Sequence, residues 1–434
     1  MPVKRSLCVG LAVLLAAGLL GSCSPSPSPF SLPEEGSDAS EPSAAAEMAR
    51  TAYQDLMRNF WTGDAETGHL KKEDHGYILE DDKKQTMIWA HTMVILALDT
   101  FYDLTGDEEI RQRIAAQWAF TKDNFNEEQL ARVGKAPNIA IDDAGWDAMA
   151  YMLFYEHTGD PDALTAAGRL IRNSFIYWAD GKPENGLWYP KAPPSQGGSR
   201  ESAYKSLYSV GLLSACLDYY EATRDELVLA DATAAYQWLE DNLLRDGSGE
   251  YDGHPIECDD HLYFCDYNEG REGRDEKTGP DGGKRPNDIG EAGSVCLLAG
   301  NMGMGVLHAR LYEITGNRMY LERAVRTVRA VSDGVYNHDG VLVNDRDAWV
   351  AGTFFGDWVR EVLPLPGIAA EYRERIIQTG RSAFKKARTD DGYYRGSWIG
   401  SDCWEKKGIL PEQMMTSASG AHVVIAAALA EKAS

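Results

Sequence analysis

Positive charge is in short supply: 43 Lys and Arg face 67 Asp and Glu, for a formal net charge of -24. A polyanion of this kind repels phosphate backbones and anionic lipid surfaces, which excludes nucleic acid as a partner and leaves neutral ligands unaffected. Histidine is sparse too, nine in all and none clustered. The seven Cys match no zinc spacing. There is no Gly-rich nucleotide loop, no Gly-x-Ser-x-Gly and no Cys/His couple of catalytic type. Strand-like alternation is scarce. The 434 residues are 44% hydrophobic, enough to bury a sizeable core. Eleven Trp and 21 Tyr suit a sugar binder, because flat rings stack on the C–H faces of pyranoses, although most such rings serve as core filler.

The first residues read as an address. Lys4 and Arg5 precede an apolar run from Leu7 to Leu20 that is too short to span a membrane as a mature helix. The run ends in Leu20-Gly21-Ser22-Cys23, which resembles the bacterial lipobox, so residues 1–22 are expected to leave and Cys23 to carry lipid. Residues 23–45, beginning with alternating Ser and Pro, cannot bury a core and read as a tether. The expected location is the bacterial cell envelope, as an outer-membrane lipoprotein facing the periplasm or the exterior. Five Cys then remain, at 216, 258, 265, 296 and 403. Cys258 and Cys265 share a loop and could bridge in an oxidising compartment, or stay as buried thiols.

Four short segments recur: Tyr102 to Asp107, Tyr155 to Asp160, Tyr220 to Asp225 and Tyr312 to Asn317. Gly106, Gly159 and Gly316 suit the left-handed conformation that ends a helix. Asp107, Asp160, Asp225 and Asn317 suit the N-cap of the next one. Each segment is therefore the tight turn of a helical hairpin, and their recurrence implies a stacked array. Periodicity and cap signals predict helices over 46–60, 85–105, 107–124, 142–158, 160–179, 203–223, 225–245, 291–315, 317–334, 352–363, 368–388 and 412–432. Twelve helices in hairpins imply an all-α (α/α)6 toroid over residues 46–434. The remaining connections are long, at roughly 125–141, 180–202, 246–290, 335–351 and 389–411, against a usual median of about 5 residues. In a ring of hairpins the short turns share one face and the long loops the other, and long loops carry function. The runs starting at 85, 142, 203, 291, 352 and 412 are then the inner helices.

Ile141-Asp142-Asp143-Ala144-Gly145-Trp146 opens one of these inner helices. An Asp in a first turn often does no more than complement the helix dipole. Two of them at the mouth of a cavity also fit glycosidic cleavage, which needs one acid to protonate the leaving oxygen and one carboxylate to attack the anomeric carbon or activate water. Adjacent side chains there could lie roughly 5 Å apart, within the retaining geometry of about 5–5.5 Å. Their repulsion would keep one of them protonated.

Asp142-Asp143-x-x-Trp146, the Tyr155 to Asp160 turn, Gly186-Leu187-Trp188-Tyr189, Tyr251-Asp252-Gly253, Asn301-Met302-Gly303 and Gly352-Thr353-Phe354-Phe355-Gly356 occur in the order found in glycoside hydrolase family 76, the endo-α-1,6-mannanases of bacteria and fungi. The chain resembles that family over nearly all of its length after about residue 46. The resemblance implies an (α/α)6 fold, endo-cleavage of α-1,6-mannan with retention, no metal or other cofactor, Asp142 as nucleophile and Asp143 as acid/base. Gly300-Asn301-Met302-Gly303 replaces the family's Tyr-Asn-Gln-Gly, Phe354-Phe355-Gly356 replaces a Phe-Lys-Gly stretch, and the loop from Asp246 to Gly290 is long and acidic.

Trp89, His91, Trp146, Trp188, Tyr189, Tyr208, Phe354, Phe355, Asp357 and Trp398 lie near inner-helix starts or long loops. They are the expected substrate contacts, with packing as the alternative for each. Asp259-Asp260 could imitate a second acid pair. Cys258 and His261 could hold a metal, but no second ligand cluster at suitable spacing supports them. The expected partners are a mannan polysaccharide or oligosaccharide and the membrane that holds the anchor, with the chain itself a monomer. Two alternatives stand beside the hydrolase. An unsaturated glucuronyl hydrolase would want basic residues and a sugar epimerase several cavity His, and the chain is poor in both. A lipid-anchored glycan binder without turnover would not need both Asp142 and Asp143.

Overall fold

Four Thr side chains set the geometry of the whole chain. Thr105, Thr158, Thr223 and Thr315 each donate their hydroxyl to the carbonyl four residues back and accept the backbone N–H two residues on. The residue between takes the left-handed conformation: Gly106, Arg224, Gly159 and Gly316 have φ of 66°, 58°, 67° and 68°. The next residue, Asp107, Asp160, Asp225 or Asn317, then accepts the N–H two residues on, as an N-cap. One local hydrogen-bond pattern thus reverses the chain four times.

The computed structural model describes residues 43–71, 89–124, 141–179, 181–190, 203–244, 298–334, 336–343 and 349–433, with short pieces at 250–251, 254–255, 261–263, 266–267, 277–278 and 284–285. Ser40–Ser434 form one compact unit. The lipobox with Cys23, the tether up to residue 42, Asp259-Asp260 and the Cys258–Cys265 pair lie outside the described residues. Cys216 is a buried free thiol and Cys403 a partly exposed one.

Among the described residues there are twelve helices. They are α1 (Ala44–Phe60), α2 (Trp89–Thr105), α3 (Glu108–Asn124), α4 (Ile141–Thr158), α5 (Pro161–Trp178), α6 (Val210–Thr223), α7 (Glu226–Leu243), α8 (Leu298–Thr315) and α9 (Arg318–Asp333), followed by three more. The last three are α10 (Phe355–Asp357, widened to a π turn over Trp358–Val362), α11 (Ala370–Ser382, ending in a π turn over Ala383–Ala387) and α12 (Met414–Lys432). All twelve predicted helices are present, and Ser43 caps the first by accepting the N–H of Ala46. Two predictions need correction. Residues 203–209 are a strand, Ala203–Ser206, and a 3-10 turn, Leu207–Ser209, rather than the first turns of α6. The helix predicted over 352–363 begins only at Phe355.

Burial separates the two layers. α8 is buried without interruption from Leu298 to Leu311, and α12 from Met414 to Ala430. α5 buries one stripe only, from Ala163 through Leu170 to Trp178, as an outer helix should. α12 is long and apolar enough to cross a membrane, yet it is nearly all buried inside the protein. The inner helices pack in the cycle α2, α4, α6, α8, α10, α12 and back to α2. The outer helices α3, α5, α7 and α9 pack behind their hairpin partners, while α11 and α1 both pack against α12. The fold is an (α/α)6 toroid.

Ring closure demands close approach. A Cβ on Gly145 of α4 would fall 2.4 Å from the backbone N of Leu212 in α6. On the other side of that contact, a Cβ on Gly211 would fall 2.7 Å from the Trp146 ring. Glycine at both positions lets the helices meet.

At the turn face the inner helices end in charge. Arg360 of α10 pairs with Asp99, Asp103 and Asp357, and His157 of α4 meets Asp99 at 2.9 Å. Arg310 of α8 pairs with Asp218 and Glu221 of α6. Burial pushes Glu361 up to about 7 and Asp218 up to about 6, against the pull of Arg310. Burial and then Asp99 push Glu156 up to about 7, although that side chain keeps exposed surface and is partly screened. His157 is raised by Asp99 against its own burial.

Two outcomes follow. Carboxylates and a His raised in the folded state stabilise it below their unfolded values and cease to as pH rises through the folded ones. The melting temperature should therefore fall between about pH 5 and pH 7, and Glu361→Gln should flatten that slope. A melting temperature constant over this window would contradict it. Arg224 alone among the four turn residues has a side chain in the left-handed region. Arg224→Gly should stabilise the fold by about 1 kcal/mol in chemical denaturation; a destabilised variant would contradict the strain.

Candidate active site

The end of α4 opposite the Thr158–Asp160 turn carries Asp142 and Asp143 in its first turn. The pair therefore lies on the face of the long loops. Unpaired backbone N–H groups at a helix start favour the ionised form of a carboxyl there. Asp142 is 8% exposed and Asp143 is half-buried. Each makes polar interactions with its surroundings.

One turn along, Trp146 lies on the same side of α4 as Asp142. Its ring covers Gly211 and meets Phe354, with centroids 6.0 Å apart. Thr92 of α2 donates to the Trp146 carbonyl at 3.2 Å. Phe354 precedes α10, which is not a ring neighbour of α4, so the two rings meet across the interior. They form a floor beneath the Asp pair.

The expected contacts divide accordingly. Phe354 and Phe355 are 0% exposed and Trp398 2%. Phe355 and Trp398 stack edge to face at 5.4 Å. These three fill the core and have no surface to offer a sugar. Asp357 is held by Arg360 at 2.8 Å in the charged cluster of the turn face. It sits that deep because α10 is short and Gly352–Phe354 replaces its upper turn. His91, on α2, is buried, and its Nε2 donates to the Lys71 carbonyl at 3.3 Å. Burial pulls its pKa down to about 4, so the ring is neutral. Tyr208 is half-buried in the 3-10 turn leading into α6.

Trp188 and Tyr189 lie on the strand Trp188–Pro190, which packs against α4 and pairs antiparallel with Ala203–Ser206. That strand in turn pairs with Asp266–Tyr267, so pieces of two long loops meet beside α4. The side chains of Trp188 and Tyr189, and that of Trp89 at the start of α2, lie outside the described residues. Among the described residues no group of three or more His, Cys, Asp or Glu is arranged to hold a metal ion.

Sequence reasoning passed over two features. Asp147 follows Asp143 by four residues, and its buried Oδ1 has no hydrogen-bond partner. The i, i+4 spacing was the available signal. Asn301, in the segment that departs from the family pattern, accepts the N–H of Tyr263 at 2.8 Å and donates to the Tyr336 hydroxyl at 3.0 Å. Tyr263 donates to Glu240 at 2.6 Å. One Asn of α8 thereby fastens two long loops to the barrel.

An all-helical toroid with two adjacent carboxylates at the loop end of an inner helix is the architecture of a class of glycoside hydrolases. The model of glycosyl hydrolase family 76 matches residues 44–270, and the chain belongs to that family. No curated protein sequence matches it. Solved structures share its fold at low identity. The α-1,6-mannanase GH76A of Salegentibacter sp. HEL1_6 is 19% identical, with a TM-score of 0.59 over 89% of this chain and 99% of that one. A family 76 mannosidase from Bacteroides thetaiotaomicron VPI-5482 is 15% identical, with a TM-score of 0.59 over 90% of this chain and 100% of that one. The protein Dfg5 from Chaetomium thermophilum, solved with glucosamine, is 14% identical with a TM-score of 0.55 over 89% and 90%.

If Phe354 is floor and not platform, Phe354→Ala should lower stability by about 3–5 kcal/mol, as for any fully buried Phe. Oligosaccharide affinity of the folded fraction should change little in isothermal titration. Selective loss of binding at full stability would return Phe354 to the substrate contacts.

Proposed function

We propose that this glycoside hydrolase cleaves internal α-1,6-mannosidic bonds of mannan with retention of configuration. In this reading Asp142 attacks the anomeric carbon while Asp143 protonates the departing oxygen. Asp143 then takes a proton from the water that releases the sugar, with no cofactor. The observation that carries the reading is the adjacent pair in the first turn of α4, above the Trp146–Phe354 floor. The Salegentibacter enzyme supports it: a variant with two consecutive aspartates changed to alanine is inactive and was captured with α-1,6-mannotetrose. A neutral polysaccharide also suits a chain of net charge -24. Trp188, Tyr189, Trp89 and Tyr208 are the contacts proposed along the loop face. The proposal includes a tethered monomer in the bacterial envelope, with lipid on Cys23.

Asp142→Asn and Asp143→Asn should each lower turnover on α-1,6-mannan by several orders of magnitude in a folded protein, since the covalent and proton-transfer contributions are separately large. With an activated aryl mannoside and azide, Asp143→Asn should regain turnover and give the α-azide. Asp142→Asn should give the β-azide, because the anion enters the space its carboxylate leaves. Interchanged products would reverse the two roles, and near wild-type rates in both variants would remove the pair from the mechanism.

A further inference from the structure

Glu240, near the end of α7, is 5% exposed and sits among polar groups of three other segments. One carboxylate oxygen accepts the Tyr263 hydroxyl at 2.6 Å and lies 3.0 Å from Nε2 of His308 on α8. Arg323 of α9 comes within 3.1 Å of the other oxygen and donates to the Tyr236 hydroxyl at 3.0 Å. A buried ion pair gains little stability over apolar packing of the same volume, but a satisfied polar network can fix one geometry. The geometry fixed here is that of Tyr263. Its side chain is 0% exposed, its backbone N–H donates to Asn301 at 2.8 Å, and its carbonyl accepts from the same side chain at 3.4 Å. It also forms an antiparallel bridge with Leu244, just past the end of α7. Tyr263 is thus seated in the barrel by side chain and backbone at once.

Three residues on, the strand Asp266–Tyr267 joins the loop-face sheet. There Lys205 pairs with Tyr267 on one side and with Trp188 on the other. Both edges of this sheet return to α7. The strand Asp266–Tyr267 packs against that helix, and so does the turn Pro183–Asn185, which leads into Trp188–Pro190. Gly186, just after that turn, lies so near Trp238 of α7 that a Cβ there would fall 2.4 Å from the ring. The sheet also leans on α4, against which Trp188–Pro190 and Leu207–Ser209 pack. One small sheet therefore bridges the end of α7 and the helix whose first turn bears Asp142 and Asp143.

We propose that Tyr263 is a positioning residue for substrate: its hydroxyl, held by Glu240, fixes the strand Asp266–Tyr267 and through it the sheet that carries Trp188 and Tyr189. The inference rests on the reading of Trp188 and Tyr189 as sugar contacts. Buried itself, Tyr263 touches no sugar. It gives the long connection after α7 a task, which is to brace the sugar-binding sheet at the edge opposite Trp188–Pro190. The brace matters for sugar units away from the cleaved bond and leaves the chemistry at the Asp pair alone.

The test uses the full-length protein and Tyr263→Phe, which keeps the ring and removes the hydroxyl. Tyr336→Phe is the control, since it cuts the bond from Asn301 to the next long connection and spares the bond to Glu240. Rates on α-1,6-mannotriose and α-1,6-mannohexaose are taken well below the melting temperature of each variant. In Tyr263→Phe, KM for the hexaose should rise about tenfold, roughly the worth of one strong hydrogen bond. Its kcat should stay within about threefold of wild type, because binding is lost and chemistry kept. KM for the triose should change by less than about twofold. Tyr336→Phe should show no such dependence on chain length. An unchanged KM for the hexaose, an equal change for both sugars, or the same split in Tyr336→Phe overturns the proposal. A purely structural Tyr263 would lower the melting temperature without that split. A second readout needs no sugar. Backbone amide exchange over 203–206 and 266–267 should quicken about tenfold in Tyr263→Phe, and unchanged exchange overturns the brace. Quickened exchange in a protein whose wild type leaves α-1,6-mannan intact keeps the brace and sinks the substrate reading instead.

Discussion

Six inner helices can close around one axis only if their backbones approach to within the reach of a missing methyl group, and the rest of the structure depends on that approach. Gly145 against Leu212, and Gly211 against the face of Trp146, are where α4 and α6 meet. The position of Trp146 fixes where Asp142 points, since the two lie one turn apart. A shift of α4 outward by the width of a side chain would lift the Asp pair from its aromatic floor. The glycines of the barrel wall are in this sense part of the active site, although none of them carries chemistry.

The toroid also separates two jobs by face. The turn face is short, capped and charged, with Arg360 and Arg310 gathering carboxylates from neighbouring inner helices. It joins inner helices to one another. The opposite face is made of long connections, and Asn301, Tyr263 and Tyr336 bind two of them to α7 and α8. A rigid base and a fastened rim leave the start of α4 as a fixed platform. That is what the proposed division between nucleophile and acid/base requires, because the relative pKa values of adjacent carboxyls depend on distance and burial.

Most of the fold was legible because its signals are local. The Thr-Gly-Asp turns close their hydrogen bonds within six residues, so Thr158, Gly159 and Asp160 announce the hairpin by themselves. Even Arg224, without a glycine, holds the same turn because Thr223 and Asp225 suffice. Residues 203–209 misled for the opposite reason. Their strand pairs with Trp188–Pro190 and Asp266–Tyr267, and no local pattern records those partners. Asp142 and Asp143 were legible as a pair at a helix start. The burial of Phe354 and Phe355 and the pairing of Asp357 with Arg360 were not legible, because both depend on how α10 packs against its neighbours. Trp398 is buried against Phe355 by a contact distant in sequence. Asp147 stood in plain view at i+4 from Asp143, but that its Oδ1 is buried without a hydrogen-bond partner is visible only in the packed structure.

The proposed mechanism has a covalent step at Asp142 followed by attack of water from the face the leaving group vacated. The most direct test is the anomeric configuration of the sugar first released from an α-1,6-mannooligosaccharide, followed by proton NMR before mutarotation. With double displacement the α-anomer should appear first at the new reducing end and equilibrate later. Initial release of the β-anomer would mean single displacement by water and would contradict the nucleophilic role given to Asp142.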